Sequence, residues 1–312
     1  MKRYTFVDIA TQSYIALVAV LVVIFHGVSL PNWPRLLLVH VIVFGLIHSV
    51  ICLNARFPSI KPIELFRHYY PIPLFIAFYR ETELLNQMFY TGYLDAHFFR
   101  VEQWLFGTQP GLEMMNWFPN RWVAELLYAA YFSYYLMIGA VGLALLIRDK
   151  KQFAHFISIT SFLFYVCYIV YICLPVVGPR IVFLEGLEIG PQLPFTLYVE
   201  NFVTPESVQG AGFFQIMGWI YDHFESAGAA FPSSHVAVAI CITYFSYLYL
   251  RRIRHVILLV TFLLCISTVY GRYHYVVDVA AGVLAAAVLI PLGNHLYFKF
   301  FKKNPSALSS HQ

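Results

Sequence analysis

Two stretches decide how this chain is read: Phe231-Pro232-Ser233-Ser234-His235, and Arg272-Tyr273-His274-Tyr275-Val276-Val277-Asp278. Between them lie two apolar runs, 236–250 and 256–270, joined by Arg251-Arg252-Ile253-Arg254. That is one pass through a membrane, a charged turn, and one pass back, which returns both histidines to the same end. Asp278 follows His274 by four residues, so on a helix the two project from one face. A carboxylate there can hold the imidazole through one nitrogen and leave the other free to attack phosphorus. The pattern predicts an all-α, polytopic transmembrane bundle carrying phosphohistidine chemistry at its surface.

The rest of the composition agrees. Hydrophobic residues make up 60% of the 312-residue chain and charged residues only 12%, where a soluble domain carries about a quarter charged residues. Abundant Phe and Tyr suit aromatic belts at two interfaces. The net charge of +4 comes from basic residues gathered in short loops. This favours membrane orientation and argues against a nucleic-acid partner. The five cysteines, at 52, 167, 173, 241 and 265, sit in or beside apolar runs without Cys-x-x-Cys spacing, so they read as small buried hydrophobes. The first apolar run lacks a small-residue cleavage site before Pro31 and reads as an uncleaved span.

Apolar runs at roughly 13–29, 36–53, 124–147, 153–174, 236–250, 256–270 and 275–298 predict about six to seven spans. Three units follow. Residues 1–123 form an N-terminal transmembrane hairpin plus a Pro-broken interfacial or re-entrant region, 124–303 a catalytic transmembrane domain, and 304–312 a disordered tail. The basic groups 148–151, 251–254 and 299–303 fall on one side, expected to be the cytoplasm. No Lys or Arg occurs from 181 to 250, where Glu185, Glu188, Glu200, Glu206, Asp222 and Glu225 occur instead. This loop and both histidines are therefore expected at the outer or lumenal face of the cell membrane. Placing Met1-Lys2-Arg3 inside requires one further crossing before residue 124, for which 69–90 is the candidate; without it the N-terminus lies outside.

Phosphate-ester cleavage needs charge stabilisation, a nucleophile, and an acid for the leaving group. Arg180 closes the run Leu174-Pro175-Val176-Val177-Gly178-Pro179-Arg180 directly after a span, and Arg272 lies two residues before His274. Two guanidinium groups suit the spread charge of a phosphoryl transition state. Ser233 and Ser234 open a helix whose N–H groups form an anion site. His235 can then protonate the leaving oxygen, while His274, oriented by Asp278, attacks phosphorus. Asp278 lies inside an apolar span, where a carboxylate costs about 2.5–3.5 kcal/mol on insertion scales and calls for a partner.

These residues resemble the type 2 phosphatidic acid phosphatase superfamily over about residues 124–298. The Arg beside Pro of its first motif matches Gly178-Pro179-Arg180, and its Pro-Ser-x-His matches Pro232-Ser233-Ser234-His235. Its third motif, Ser-Arg-x5-His-x3-Asp, matches the run from Ser267 through His274 to Asp278. The resemblance implies His274 as nucleophile and His235 as acid, the roles reached from the residues. Two departures stand out. The third-motif Arg falls on Thr268, with Arg272 one helical turn later as the expected substitute, and residues 171–180 contain no Lys. Both are similar to the inositol phosphorylceramide synthase-like branch, as is Asp95-x6-Glu102-x2-Leu105-Phe106-Gly107-x2-Pro110. Asp95 and Glu102 read equally well as a solvated helix face.

The expected reaction is therefore metal-independent and needs no cofactor. It transfers a phosphoryl or phosphodiester group from a phospholipid or polyprenyl phosphate to His274, then to water or to an alcohol or lipid acceptor. Two other classes compete. Haem ligation would use His26, His40 or His48 in the first two spans, and a lipid carrier would keep the fold without the chemistry.

Overall fold

The computed structural model describes residues 4–27, 29–184 and 203–303. Glu185, Glu188, Glu200, Met1-Lys2-Arg3 and the tail 304–312 lie outside the described residues. The described chain is α-helical with no strand, only an isolated bridge between Val176 and Ala229. The helices are α1 (Phe6–Phe25), α2 (Trp33–Arg56), α3 (Lys61–Tyr69), α4 (Pro71–Leu85), α5 (Asp95–Phe106), α6 (Pro110–Trp117) and α7 (Arg121–Arg148). They continue as α8 (Lys150–Cys173), α9 (Pro179–Leu184), α10 (Glu206–Gln209), α11 (Gly212–Phe224), α12 (Ser234–Tyr249), α13 (Arg254–Tyr270) and α14 (Val276–Lys303). Five of them (α1, α2, α7, α8 and α14) are long and apolar enough to cross a bilayer, and α12 and α13 are shorter apolar helices. Seven apolar helices thus lie where the hydropathy pattern expects them. The protein is an all-α polytopic integral membrane protein.

Local chemistry sets the helix starts. The Asn120 side chain accepts from the N–H groups of Trp122 and Val123 to open α7, and Asp149 accepts from Lys151 to open α8. Thr5 and Asp8 form a capping box on α1. Proline occupies the first turn of α2, α3, α4 and α6, where its missing N–H costs nothing.

The Pro-broken stretch before α7 contains a traverse too short to stand out by hydropathy. Tyr69 meets Phe153, Phe75 meets Phe164, and Tyr79 meets Tyr168, so α4 runs parallel to α8 along most of its length. Lys150 bonds Glu64 at 2.5 Å at one end, and Asn86 donates to the Ala227 carbonyl at 2.6 Å at the other. The 69–90 segment thus runs beside α8 between the two ends of the bundle, and the start of α1 lies at the basic end. There Phe6 packs on Tyr297, and Arg148 donates to the Tyr249 carbonyl.

The hydrophobic core does not divide at residue 123. One cluster joins Tyr14, Val18 and Phe78 to Tyr165, Tyr168, Ala237 and Ala286, so the N-terminal helices pack on the histidine-bearing ones as a single body. Leu38, Val41, Leu136, Phe262 and Leu284 face outward, as lipid-contacting side chains do. Trp104, Trp117 and Trp122 are exposed around the histidine end, the position of an interfacial belt.

Candidate active site

The histidines meet because α12 starts and α13 ends at the same end of the bundle. His274 is 3% exposed and Asp278 fully buried. His274 Nδ1 lies 3.4 Å from Asp278 Oδ2, and its Nε2 lies 3.4 Å from His235 Nδ1. Helix α14 begins only at Val276, so His274 sits just before its first turn and not within it. Asp278 also accepts the Tyr275 N–H at 2.9 Å, which fixes the carboxylate. Burial pulls the His274 pKa down to about 4, against the opposing effect of the Ala230 carbonyl. The ring is therefore neutral at pH 7, with a lone pair on one nitrogen.

Main chain holds the two histidine segments together. The Ser233 N–H donates to the Asp278 carbonyl at 3.1 Å. A Cβ at Gly282 would stand 2.6 Å from the Ser233 carbonyl oxygen, so only glycine allows this approach. Ser233 caps α12 by accepting from Val236. The Ser234 N–H donates to the Tyr171 hydroxyl, which donates in turn to the Pro232 carbonyl. Both serines are buried and hold this turn in place.

The first-motif loop docks on the same centre. Its Val177 and Gly178 N–H groups each donate to Asp95 at 2.9 Å, and Tyr275 donates its hydroxyl to Asp95 at 3.0 Å. Gly178 has φ +89, and a Cβ there would stand 2.5 Å from the Tyr273 carbonyl oxygen. The Arg180 N–H donates to the Arg272 carbonyl at 2.7 Å. The Arg180 side chain pairs with Glu225 and lies 5.0 Å over the Tyr221 ring. Glu102 accepts the Val276 N–H at 2.5 Å and the Val277 N–H at 3.3 Å, capping α14 directly after His274.

Asp95 and Glu102 are therefore not on a solvated face. They are 1% and 0% exposed, and their acceptors serve main chain far along the sequence. Burial raises Asp95 to about 6, opposed by the Val177 and Gly178 N–H groups. It raises Glu102 to about 7, opposed by Val276 and Val277.

Arg272 also differs from expectation. Helix α13 ends at Tyr270, and Arg272 has φ +65, so residues 268 and 272 do not share a helical face. Its guanidinium is buried and donates to the Leu112 carbonyl of α6 at 3.2 Å. The Thr268 carbonyl instead accepts the N–H groups of Tyr273 and His274, shaping the turn that presents the histidine. The residues brought together are thus His235, His274, Asp278, Ser233 and Ser234. Arg180 is joined to them through the Arg272 main chain and Tyr221, while the Arg272 side chain points to α6.

A tyrosine set not singled out in the sequence closes the far side. Tyr131 lies 3.2 Å from His235 Nε2 and bonds the Tyr221 hydroxyl. Tyr221 stacks on Tyr273 at 4.1 Å. With aromatics at 18% of the chain, nothing in the pattern marks these three.

The family model for the PAP2 superfamily matches residues 96–292, more than half of the chain. The chain belongs to the PAP2 superfamily. The PAP2 match begins at α5, earlier than residue 124, and so takes in Glu102 and α6 along with the histidine helices. Comparison with curated proteins and with solved structures gives no match. Membership gives the PAP2 protein a phosphatase-type function directed at lipid phosphate, in a superfamily of phosphatases and phosphotransferases. The three histidines weighed as haem ligands each have a different neighbour: His26 the Val22 carbonyl, His40 Glu81, and His48 Tyr4.

Proposed function

We propose that this PAP2 protein cleaves a lipid phosphate ester through a phosphohistidine formed on His274. The observation that supports this most is the chain of contacts Asp278–His274–His235, with 3.4 Å at each step. Asp278 would hold Nδ1 of His274 and favour the cation that forms as Nε2 bonds phosphorus. His235 would donate a proton to the leaving oxygen, then accept one from the incoming water or alcohol. Arg180 would supply charge to the phosphoryl oxygens, and Asp95 and Glu102 would position the loop and helix start that carry Arg180 and His274.

In-line attack needs about 3–3.5 Å from nucleophile to phosphorus and about 2.8 Å from acid to leaving oxygen. The direct contact between the imidazoles is therefore a closed arrangement, and the substrate would separate them. The substrate class is a phospholipid or polyprenyl phosphate, reached from the outer or lumenal leaflet. Head-group transfer of the inositol phosphorylceramide synthase type is the second reading. It rests on Thr268 standing where the family motif has Arg.

Product analysis tests both readings. Purified protein in detergent is given labelled phospholipids and polyprenyl phosphates, with and without ceramide or diacylglycerol, and His274→Ala serves as control. Phosphate release alone makes it a phosphatase. An acceptor-dependent new lipid makes it a transferase. Full turnover by folded His274→Ala removes the phosphohistidine assignment.

A further inference from the structure

A polar chamber beside the histidines holds Arg180 together with charged groups to which the proposed reaction assigns no role. A cavity of about 370 Å³ is lined by Arg80 and Arg180 together with Glu83, Tyr221, Asp222 and Glu225. Arg80 comes from α4, outside the matched residues 96–292. Both guanidinium groups converge on one residue. Arg180 Nη1 pairs with the Glu225 carboxylate, and Arg80 Nη1 donates to the Glu225 main-chain carbonyl. Asp222 Oδ1 stands 3.6 Å from Arg180 Nη2. Tyr221, under the Arg180 guanidinium, belongs to the wall shared with the catalytic histidines through Tyr131 and Tyr273.

We propose that Arg80 is a second ligand of the substrate phosphate, acting with Arg180, and that Glu225 occupies this anion position until a phosphate displaces it. The proposal rests on the phosphohistidine reading of the neighbouring site. Carboxylate and phosphate both accept the forked donors of a guanidinium, so an anion that replaces Glu225 takes over its charge-assisted bonds. The replacement also avoids leaving Arg180, whose side chain is 18% exposed, without a counter-charge at any stage. Arg80 is the more open of the two, at 46%, and its Nη1 also stands 3.5 Å from Glu83, a half-exposed pair that a phosphate would replace. With Glu225 in place, Glu83, Asp222 and Glu225 all repel a phosphate. With Glu225 turned out, the two guanidinium groups are balanced by Glu83 and Asp222 alone, and the excess negative charge that opposed a phosphate is gone.

Calorimetric titration of the full chain in detergent tests this, with two probes. One is inorganic phosphate. The other is micelles doped with phosphatidic acid, set against micelles doped with phosphatidylcholine. Arg80→Gln is expected to weaken binding roughly tenfold, equivalent to about 1.4 kcal/mol. Arg80→Lys should recover part of the loss. Glu225→Gln should tighten binding roughly tenfold, because the competing carboxylate is gone. If these changes appear with both probes, the site reads the phosphate itself; if only with phosphatidic acid, it reads a lipid head group. Unchanged affinity in Arg80→Gln overturns the proposal, as does absence of tightening in Glu225→Gln, or no binding of either probe to any of the proteins. Should Arg80→Gln fail to fold, Arg80→Lys and Glu225→Gln carry the test. His274→Ala separates the two ideas. Retained turnover there defeats the phosphohistidine reading and leaves the Arg80 result standing, whereas lost turnover with unaltered Arg80→Gln binding does the opposite.

Discussion

Replacing Gly178 by alanine perturbs the joint between the two arginine-bearing loops in a way that can be worked out in advance. At φ +89 an L side chain is strained, by about 1–2 kcal/mol on the scale of left-handed backbone. The new methyl would also stand 2.5 Å from the Tyr273 carbonyl oxygen, which is main chain and has no rotamer to yield. Overpacking of this kind adds about 1–3 kcal/mol, for a total of about 2–5 kcal/mol. The relief available is a shift of the 272–274 turn, which carries the proposed nucleophile His274. A displacement near 1 Å there costs roughly 100-fold in turnover. Thermal and denaturant unfolding in detergent, beside turnover of a lipid phosphate, measures both effects. Gly139→Ala is the control: its Cβ would meet nothing within 4 Å inside α7, so it should be neutral or stabilising by up to about 1 kcal/mol. A Gly178→Ala protein within 0.5 kcal/mol of the parent and with full turnover would refute the reasoning.

Glu102→Gln keeps the acceptor for Val276 and removes a carboxylate that burial holds at about 7. Because the folded value exceeds the ordinary 4.5, the stability from the protonated acid is complete below about pH 4.5 and lost as pH rises toward 7. The variant should therefore gain up to about 3 kcal/mol on the parent between pH 5 and pH 8. An equal difference in unfolding temperature at both pH values counts against it. Asp278→Asn can keep the bond from Tyr275 and loses the anion beside His274, so turnover should fall roughly 10²–10⁴-fold with folding intact; a loss under threefold would leave Asp278 without an electrostatic role. Full turnover is expected in the presence of a chelator, and activity lost there and restored by one divalent ion would contradict a metal-independent reaction.

The seven apolar helices and the pairing of His235 with His274 and Asp278 were legible because composition and short spacings carry them. What was not legible had long-range or conformational causes. Asp95 and Glu102 look like ordinary charges on an amphipathic helix, since the N–H groups they accept from lie 82 and 174 residues away. Arg272 keeps helical spacing with Thr268, yet the helix stops at Tyr270 and a left-handed residue turns the guanidinium toward α6. Helix α4 was hard to see as a traverse because it has 15 residues with prolines in its first turn, and its partner face on α8 becomes evident only once both are packed.

The main-chain bond from Ser233 to Asp278, with Gly282 pressed on the Ser233 carbonyl, has a kinetic meaning. Two helices joined backbone to backbone cannot part to admit a phosphoryl group without breaking that joint. For the proposed reaction, making room between the imidazoles would then fall to rotation of the His235 ring and of the phenols behind it. Side-chain rotation is intrinsically a picosecond-to-nanosecond event where the ring is free, slowed here by packing, whereas collective helix movement belongs to microseconds and longer. On the proposed phosphohistidine reading, the interval between substrate arrival and attack would be set by the packing of Tyr131, Tyr221 and Tyr273 and not by breathing of the bundle.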